Sequence, residues 1–250
     1  MLRGQVAPFL VGAVAGAASL AACGSPRARP DADADAPDAA EVDAPVPDAP
    51  DIDAPSVDAA LDGPPALPDL QFVAGDMDRV IVMGQDFLPG DCAIDEGCVN
   101  GTGTRQLLRF KTSTVNRGAG DLIVGKPPPA GMSDKKFEWS ACHKHHHLKG
   151  YARYDLLDAH GVVLTGRKQA FCVSDNKQVE PGIPFPHYLC TDQGLSRGWA
   201  DVYDIDVACQ WLDITDVVPG TYTLRITVNP EGVIEESDTT NNVFTKQVSL

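Results

Sequence analysis

Beyond residue 69 the chain alternates short apolar or β-branched runs with turn-forming residues, and helical periodicity is scarce. The strongest strand patterns are Val80–Met83, Leu107–Thr112, Asp121–Val124, Leu148–Leu157, Val162–Leu164, Ala170–Val173, Thr221–Val228 and Val243–Val248. In Thr221-Tyr222-Thr223-Leu224-Arg225-Ile226-Thr227-Val228 polar and apolar residues alternate, as in an antiparallel strand with one face on a core. Asn229-Pro230-Glu231-Gly232 follows it as a turn. Ser174–His187 carries Pro and Gly without a period and is expected to be a loop. Strands at such short spacing predict a mainly β domain, an antiparallel β-sandwich with long loops and few short helices.

The first 68 residues follow a different pattern. Arg3 supplies a short positive region, and Val6–Leu20 is apolar but too short to span a bilayer as a mature helix. Leu20-Ala21-Ala22-Cys23 has the form of a bacterial lipobox, so residues 1–23 are expected to be a lipoprotein signal with Cys23 as the lipidated residue. Stable anchoring takes more than one acyl chain, and a lipidated cysteine can carry several. Residues 24–68 repeat Ala, Pro and Asp, as in Asp35-Ala36-Pro37-Asp38 and Pro47-Asp48-Ala49-Pro50-Asp51. With little to bury, such a run is expected to stay a disordered, extended linker. Residues 69–250 are then the folded domain, and the protein an exported, membrane-anchored lipoprotein of the periplasm or the cell surface.

Charge changes the picture little. The linker holds 11 acidic residues against Arg27 and Arg29, a net of −9 out of −15, so the acidity is mostly that of a spacer. It argues against nucleic acid as a partner. Of seven cysteines, Cys23 falls in the signal, leaving Cys92, Cys98, Cys142, Cys172, Cys190 and Cys209. An even number in an exported chain predicts disulfides, whose pairing spacing alone does not reveal.

The most informative segment is Cys142-His143-Lys144-His145-His146-His147-Leu148. On a strand, His143, His145 and His147 would share one face and His146 the other. Three imidazoles suit copper or zinc. Neighbouring ligands would lie roughly 7 Å apart at Cα, so the outer rings must lean inward or the strand must bend to meet one ion.

Read with its neighbours, this segment resembles the lysyl oxidase family. The resemblance runs from Trp139-Ser140-Ala141-Cys142-His143 through Tyr154-Asp155-Leu156-Leu157-Asp158, Gly166-Arg167-Lys168-Gln169-Ala170-Phe171-Cys172 and Gln193-Gly194-Leu195-Ser196. It continues through Tyr203, Cys209-Gln210-Trp211-Leu212-Asp213-Ile214-Thr215-Asp216-Val217, Pro219-Gly220 and Val228-Asn229-Pro230, and ends on Glu236-Ser237-Asp238 and Asn241-Asn242. It covers essentially all of 69–250.

The resemblance implies a copper amine oxidase that makes its own quinone. It would oxidatively deaminate primary amines, peptidyl lysine among them, to aldehyde, with O2 consumed and hydrogen peroxide and ammonia released. His143, His145 and His147 would bind Cu2+. The lysine of the Gly-x-Lys-x-x-Phe-Cys motif falls on Lys168 and the tyrosine ahead of Cys-Gln-Trp on Tyr203, the two parts of a lysine tyrosylquinone. Asp155 and Asp204 are candidate bases by proximity in sequence, and Asp155 equally suits the orientation of a metal-ligating histidine. A calcium site would use Asp69, the carbonyl of Leu70, Glu236, Asp238, Asn241 and Asn242, hard oxygen donors of the right kind.

Departures from the family pattern bear on the cysteines. The family implies Cys92–Cys98 and Cys142–Cys190. The usual partners of Cys172 and Cys209 are missing, so a Cys172–Cys209 bridge is expected in their place. Arg153 stands where animal members commonly carry a histidine. The rival to the enzyme reading is a non-catalytic surface β-sandwich, a metal-stabilised adhesion or interaction module, which has no need of Lys168 and Tyr203 together.

Overall fold

The computed structural model describes residues 65–166, 171–181 and 185–250. The expected signal, Cys23 and all but the last residues of the expected linker lie outside the described residues, as do Lys168 and Ala170. Among the described residues the chain is mainly β, and every strand pairing is antiparallel. No described helix is long and apolar enough to cross a membrane.

Four strands carry the centre of the site. β1 (Leu70–Phe72), β4 (Thr112–Asn116), β12 (Trp199–Tyr203) and β10 (Lys177–Gln178) form a sheet in the order β1-β4-β12-β10. A second sheet orders β15 (Val243–Ser249), β14 (Thr221–Val228), β8 (Ala152–Asp158) and β9 (Gly161–Thr165). A third holds β13 (Trp211–Asp213), β3 (Gly103–Phe110) and β2 (Val80–Phe87). Two ribbons complete the domain: β5 (Leu122–Gly125) with β11 (Gln193–Leu195), and β6 (Phe137–Ser140) with β7 (His145–Leu148).

β14 shows how pattern became structure. Leu224, Ile226 and Val228 are buried while the residues between them are not, and all three join a core cluster with Phe110, Tyr154, Leu212 and Tyr203. A second cluster holds Phe87, Ala93, Cys98, Leu107, Cys209 and Trp211. Gly194 belongs where a Cβ would stand 2.4 Å from the Leu122 carbonyl and 2.5 Å from the Tyr188 ring, so only glycine lets β11 lie against β5.

Several expectations need correction. The run Leu148–Leu157 is two strands, because Lys149-Gly150 turns between β7 and β8 with Gly150 at φ 68°. The run Leu107–Thr112 breaks at Lys111 and passes from β3 into β4. Phe171–Val173 is not a strand, although all three residues are buried; the apolar run fills the core as irregular chain. Within the expected loop 174–187, Lys177–Gln178 forms the short edge strand β10. The turn at 229–232 stands as expected, closed by Gly232 N–H donating to the Asn229 carbonyl at 3.1 Å.

The cysteines pair as Cys92–Cys142, Cys98–Cys209 and Cys172–Cys190, with Cα separations of 5.7, 5.4 and 5.2 Å. None of the three expected pairings occurs. Cys98 and Cys209 meet inside the second core cluster, under Trp211, whose indole N–H donates to the Cys98 carbonyl at 3.1 Å. Cys172 runs instead beside the 188–190 segment, with Asp175 N–H donating to the Tyr188 carbonyl. Between Tyr203 and Cys209 the chain turns through hydrogen bonds from Val207 to Asp204 and from Gln210 to Val207, and Cys209 takes φ 67°. Cys209 therefore meets Cys98, and Cys172 is left to Cys190.

Candidate metal and cofactor site

β6 and β7 form a hairpin in which Ser140 faces His145 and Glu138 faces His147. His145 and His147 lie on one face of β7, but His143 is not on the strand. It sits in the connecting loop, and Lys144 at φ 59° reverses the chain behind it. The shared strand face holds for His145 and His147 and is corrected for His143; of the two ways to bring the rings together, the bend is the one the chain takes. One ring nitrogen from each of His143, His145 and His147 falls within 4.8 Å of the others. His145 Nε2 and His147 Nε2 are 3.0 Å apart. Two nitrogens each about 2.0 Å from one ion, at angles between square and tetrahedral, would be separated by about 2.8–3.3 Å. The His145–His147 pair therefore has the spacing of two ligands on one copper- or zinc-type ion, and His143 stands close enough to join them. His146 faces the other way, packed on Trp139 with ring centroids 4.9 Å apart and with Nε2 2.8 Å from the Met132 carbonyl oxygen.

Beside this hairpin lies an aromatic stack. The His147 and Phe171 ring centroids are 6.2 Å apart, and Phe171 stacks on Tyr203 at 4.4 Å and 30°. Tyr203 closes β12, an interior strand of its sheet, and is buried. Its hydroxyl donates to the Cys172 carbonyl at 2.8 Å and also bonds the Asp201 carboxylate. Asp201 and Tyr203 point to one side because they are two apart on one strand. Burial pushes the Asp201 carboxyl up to about 8, against the opposing pull of its bond from Tyr203. Burial, and then the Asp201 charge, hold the Tyr203 phenol well above the ordinary tyrosine range. Asn176 clamps the same stretch: its amide donates to Asp201 Oδ1 at 3.0 Å, and its Oδ1 accepts the Val202 N–H at 2.8 Å.

Asp201 was not singled out by sequence reasoning. The available signal was its position two residues before Tyr203 on a strand. The two carboxylates that were singled out have other described partners. Asp155 is wholly buried on β8, where its oxygens take Arg225 at 2.7 Å, Thr165 at 2.7 Å and Arg153 at 3.1 Å. Burial raises its proton affinity, but the bonds from Arg225, Thr165 and Arg153 outweigh it and hold the carboxyl below the usual range. Its oxygens are thus engaged by Arg225, Thr165 and Arg153, which favour the charged form. Asp204 is half exposed and lies 3.6 Å from Arg79.

The Cys-Gln-Trp block serves the same core. Gln210 is fully buried, accepts the Tyr154 hydroxyl at 3.3 Å and donates to Thr112 at 3.4 Å. The Arg109 guanidinium lies 4.3 Å over the Trp211 ring. A cavity of about 780 Å³ is lined by Leu148 and Tyr151, from the chain just after His147, and by Ile123, Lys149, Glu231 and Val233, but not by the three histidines.

The expected calcium ligands converge where β1 meets the 229–242 loop. Asn241 Nδ2 donates to Asp69 at 2.9 Å and to Asp238 at 3.4 Å. Glu236 accepts the Leu70 N–H, Asn229 and Asn242, each at 2.7 Å. Leu70 thus reaches the cluster through its amide. Asn241 Oδ1 and Asn242 Oδ1 are buried acceptors with no hydrogen-bond partner, which suits a hard cation.

The lysyl oxidase family model matches residues 90–250. The chain belongs to the lysyl oxidase family. Chicken (Gallus gallus) protein-lysine 6-oxidase is 39% identical over 166 residues, 61% of this chain and 38% of that protein. Human (Homo sapiens) lysyl oxidase homolog 1 is likewise 39% identical over 166 residues, 61% of this chain and 28% of that protein. For the pig (Sus scrofa) protein-lysine 6-oxidase the figures are 39%, 61% and 64%. This lysyl oxidase family member spans well under two thirds of the length of the chicken and human relatives. A solved CARDB domain from Pyrococcus furiosus, in complex with di-metal ions, covers 73% of this chain and 88% of its own at 14% identity; its TM-score of 0.28 is too low to bear on the fold.

Proposed function

We propose that this protein is a copper-dependent amine oxidase that converts primary amines, the lysine side chain of a surface protein among them, to aldehydes with release of hydrogen peroxide and ammonia. The observation that carries this reading is the buried Tyr203, stacked through Phe171 toward the three-histidine cluster and bonded to a carboxyl of raised proton affinity. His143, His145 and His147 would hold the copper. Lys168 stands four residues before Cys172, whose carbonyl accepts the Tyr203 hydroxyl, and is the proposed second half of a lysine tyrosylquinone. Copper with O2 supplies the oxidation that turns a phenol into a quinone, and the quinone supplies an electron sink.

The remaining chemistry belongs to the chain. Phe171 covers one face of the Tyr203 ring and excludes water from it. Asp201 holds or takes a proton at the Tyr203 hydroxyl. With a proton affinity of about 8, it is suited to accept a proton from the carbon beside a substrate nitrogen near neutral pH. Asn176 fixes its orientation. The cluster of Asp69, Glu236, Asp238, Asn241 and Asn242, with Leu70, is proposed as a calcium site tying the start of the domain to its end. Export, lipidation at Cys23 and the 24–68 tether belong to the same proposal and rest on the sequence alone. Family membership favours this reading over a non-catalytic interaction module.

The deciding experiment is a peptide map of the protein after copper loading in air. A Lys168–Tyr203 crosslink, with quinone staining of the intact chain, is expected. Unmodified Tyr203 in protein that has taken up copper and O2 would end the quinone reading.

A further inference from the structure

We propose that Glu96 is a positioning residue for the metal centre: its carboxylate accepts the Nδ1–H of His143 and so directs the opposite ring nitrogen to the ion. This rests on the metal reading above but not on turnover. Glu96 Oε1 lies 3.4 Å from His143 Nδ1. The same oxygen accepts the Ser140 hydroxyl at 2.5 Å, and Ser140 Oγ accepts the His143 backbone N–H at 2.9 Å. The carboxylate therefore meets the ring directly and the backbone of the same residue through Ser140. An imidazole that ligates through one nitrogen commonly donates from the other to a carboxylate or carbonyl, which sets its tautomer and ring angle. His143 has the greatest need of such a partner, because it stands in the hairpin loop while His145 and His147 are aligned by β7.

The way Glu96 is held points in the same direction. It caps the short helix Cys92–Asp95. Four residues before it, Cys92 is bridged to Cys142, the immediate neighbour of His143. Two residues after it, Cys98 is bridged to Cys209, and Glu96 Oε2 lies 3.8 Å from Cys209 Sγ. The loop is thus crosslinked on both sides, once to the segment it serves. From the sequence, Asp155 was a candidate both for the base and for orienting a ligating histidine. The structure commits Asp155 to Arg225 and Arg153 and sets Glu96 against His143.

The test is Cu(II) affinity of the full chain by chelator competition, with EPR spectra at equal copper occupancy. Removing a carboxylate that orients a ligand typically costs about 10–100-fold in metal affinity. Glu96→Ala is expected to weaken copper binding by about that factor and to change the EPR parameters. Glu96→Gln, which keeps an acceptor oxygen, falls in between, and Asp95→Asn at the exposed neighbour matches wild type. Should Glu96→Ala fail to fold, Ser140→Ala carries the test, with a smaller loss in the same direction. Binding by Glu96→Ala within about threefold of wild type and with an unchanged spectrum overturns this inference alone, since that lies outside the expected range. Loss of a carboxylate oxygen from the copper coordination sphere overturns it in favour of direct ligation. Wild-type protein that takes up neither copper nor zinc removes the metal reading and this inference together.

Discussion

Asp155 and Asp201 are both almost entirely buried, and their proton affinities move in opposite directions. Asp155 sits between β14 and β9, where cross-strand neighbours Arg225 and Thr165 point at it from either side. Asp201 sits in the β4–β12–β10 sheet, bonded by a phenol and an amide. Burial alone penalises the charge of both. The outcome is decided by the partners: guanidinium groups favour the ionised form of one carboxyl, while neutral hydroxyl and amide partners leave the other raised to about 8.

That contrast can be broken experimentally. The largest effect is expected for Asp201→Asn, which should lower amine oxidation by about 10²–10⁴-fold while copper uptake persists. Steady-state peroxide release checks the rate. If Asp155→Asn gives that loss in a stably folded protein and Asp201→Asn does not, the two roles are reversed. Asp201→Asn should also flatten a pH dependence of stability. The fold prefers Asp201 protonated, so native protein binds more protons than the unfolded chain between its ordinary value of 3.8 and about 8. Stability from this group is then complete below that window and is lost as pH rises through it. Thermal unfolding from acid to alkaline pH should show the slope in wild type only. Asp155 has the opposite sign: its stabilisation is present above the ordinary carboxylate value and is lost as pH falls through the lowered one.

Next in size is Arg225→Met, which leaves Asp155 buried with fewer partners and is expected to cost about 3 kcal/mol, the low end for a broken buried pair because the Arg225 side chain is partly exposed. Urea unfolding measures it. A cost under about 0.5 kcal/mol would place Asp155 among pairs that contribute little. The smallest effect is Thr165→Val, about 1 kcal/mol for one hydrogen bond lost from Asp155.

Much of the fold was legible because strands announce themselves locally. Thr221–Val228 alternates, and β14 buries the residues that alternation selects. β11, β12 and β13 escaped notice because they are short, and β12 is buried along most of both faces, which erases the period of two. Of the site, His143, His145, His147 and Tyr203 were legible, the first three by spacing and the last through the family motif. Asp201 was not legible, because an aspartate in a buried strand has no pattern of its own. Glu96 was not legible either, because the 46 positions between it and His143 are closed only by the fold.

By itself the sequence determined a cysteine-rich β domain, a cluster of imidazoles and membership of a family, since each depends on residue types and short spacings that survive any folding. Only the tertiary structure decided which cysteines meet, that Lys144 turns His143 back toward its neighbours, and which buried carboxylate stays charged. Those outcomes depend on distances across segments remote in sequence. At such separations chain connectivity no longer constrains position, and packing, burial and the nearest charge choose the partner.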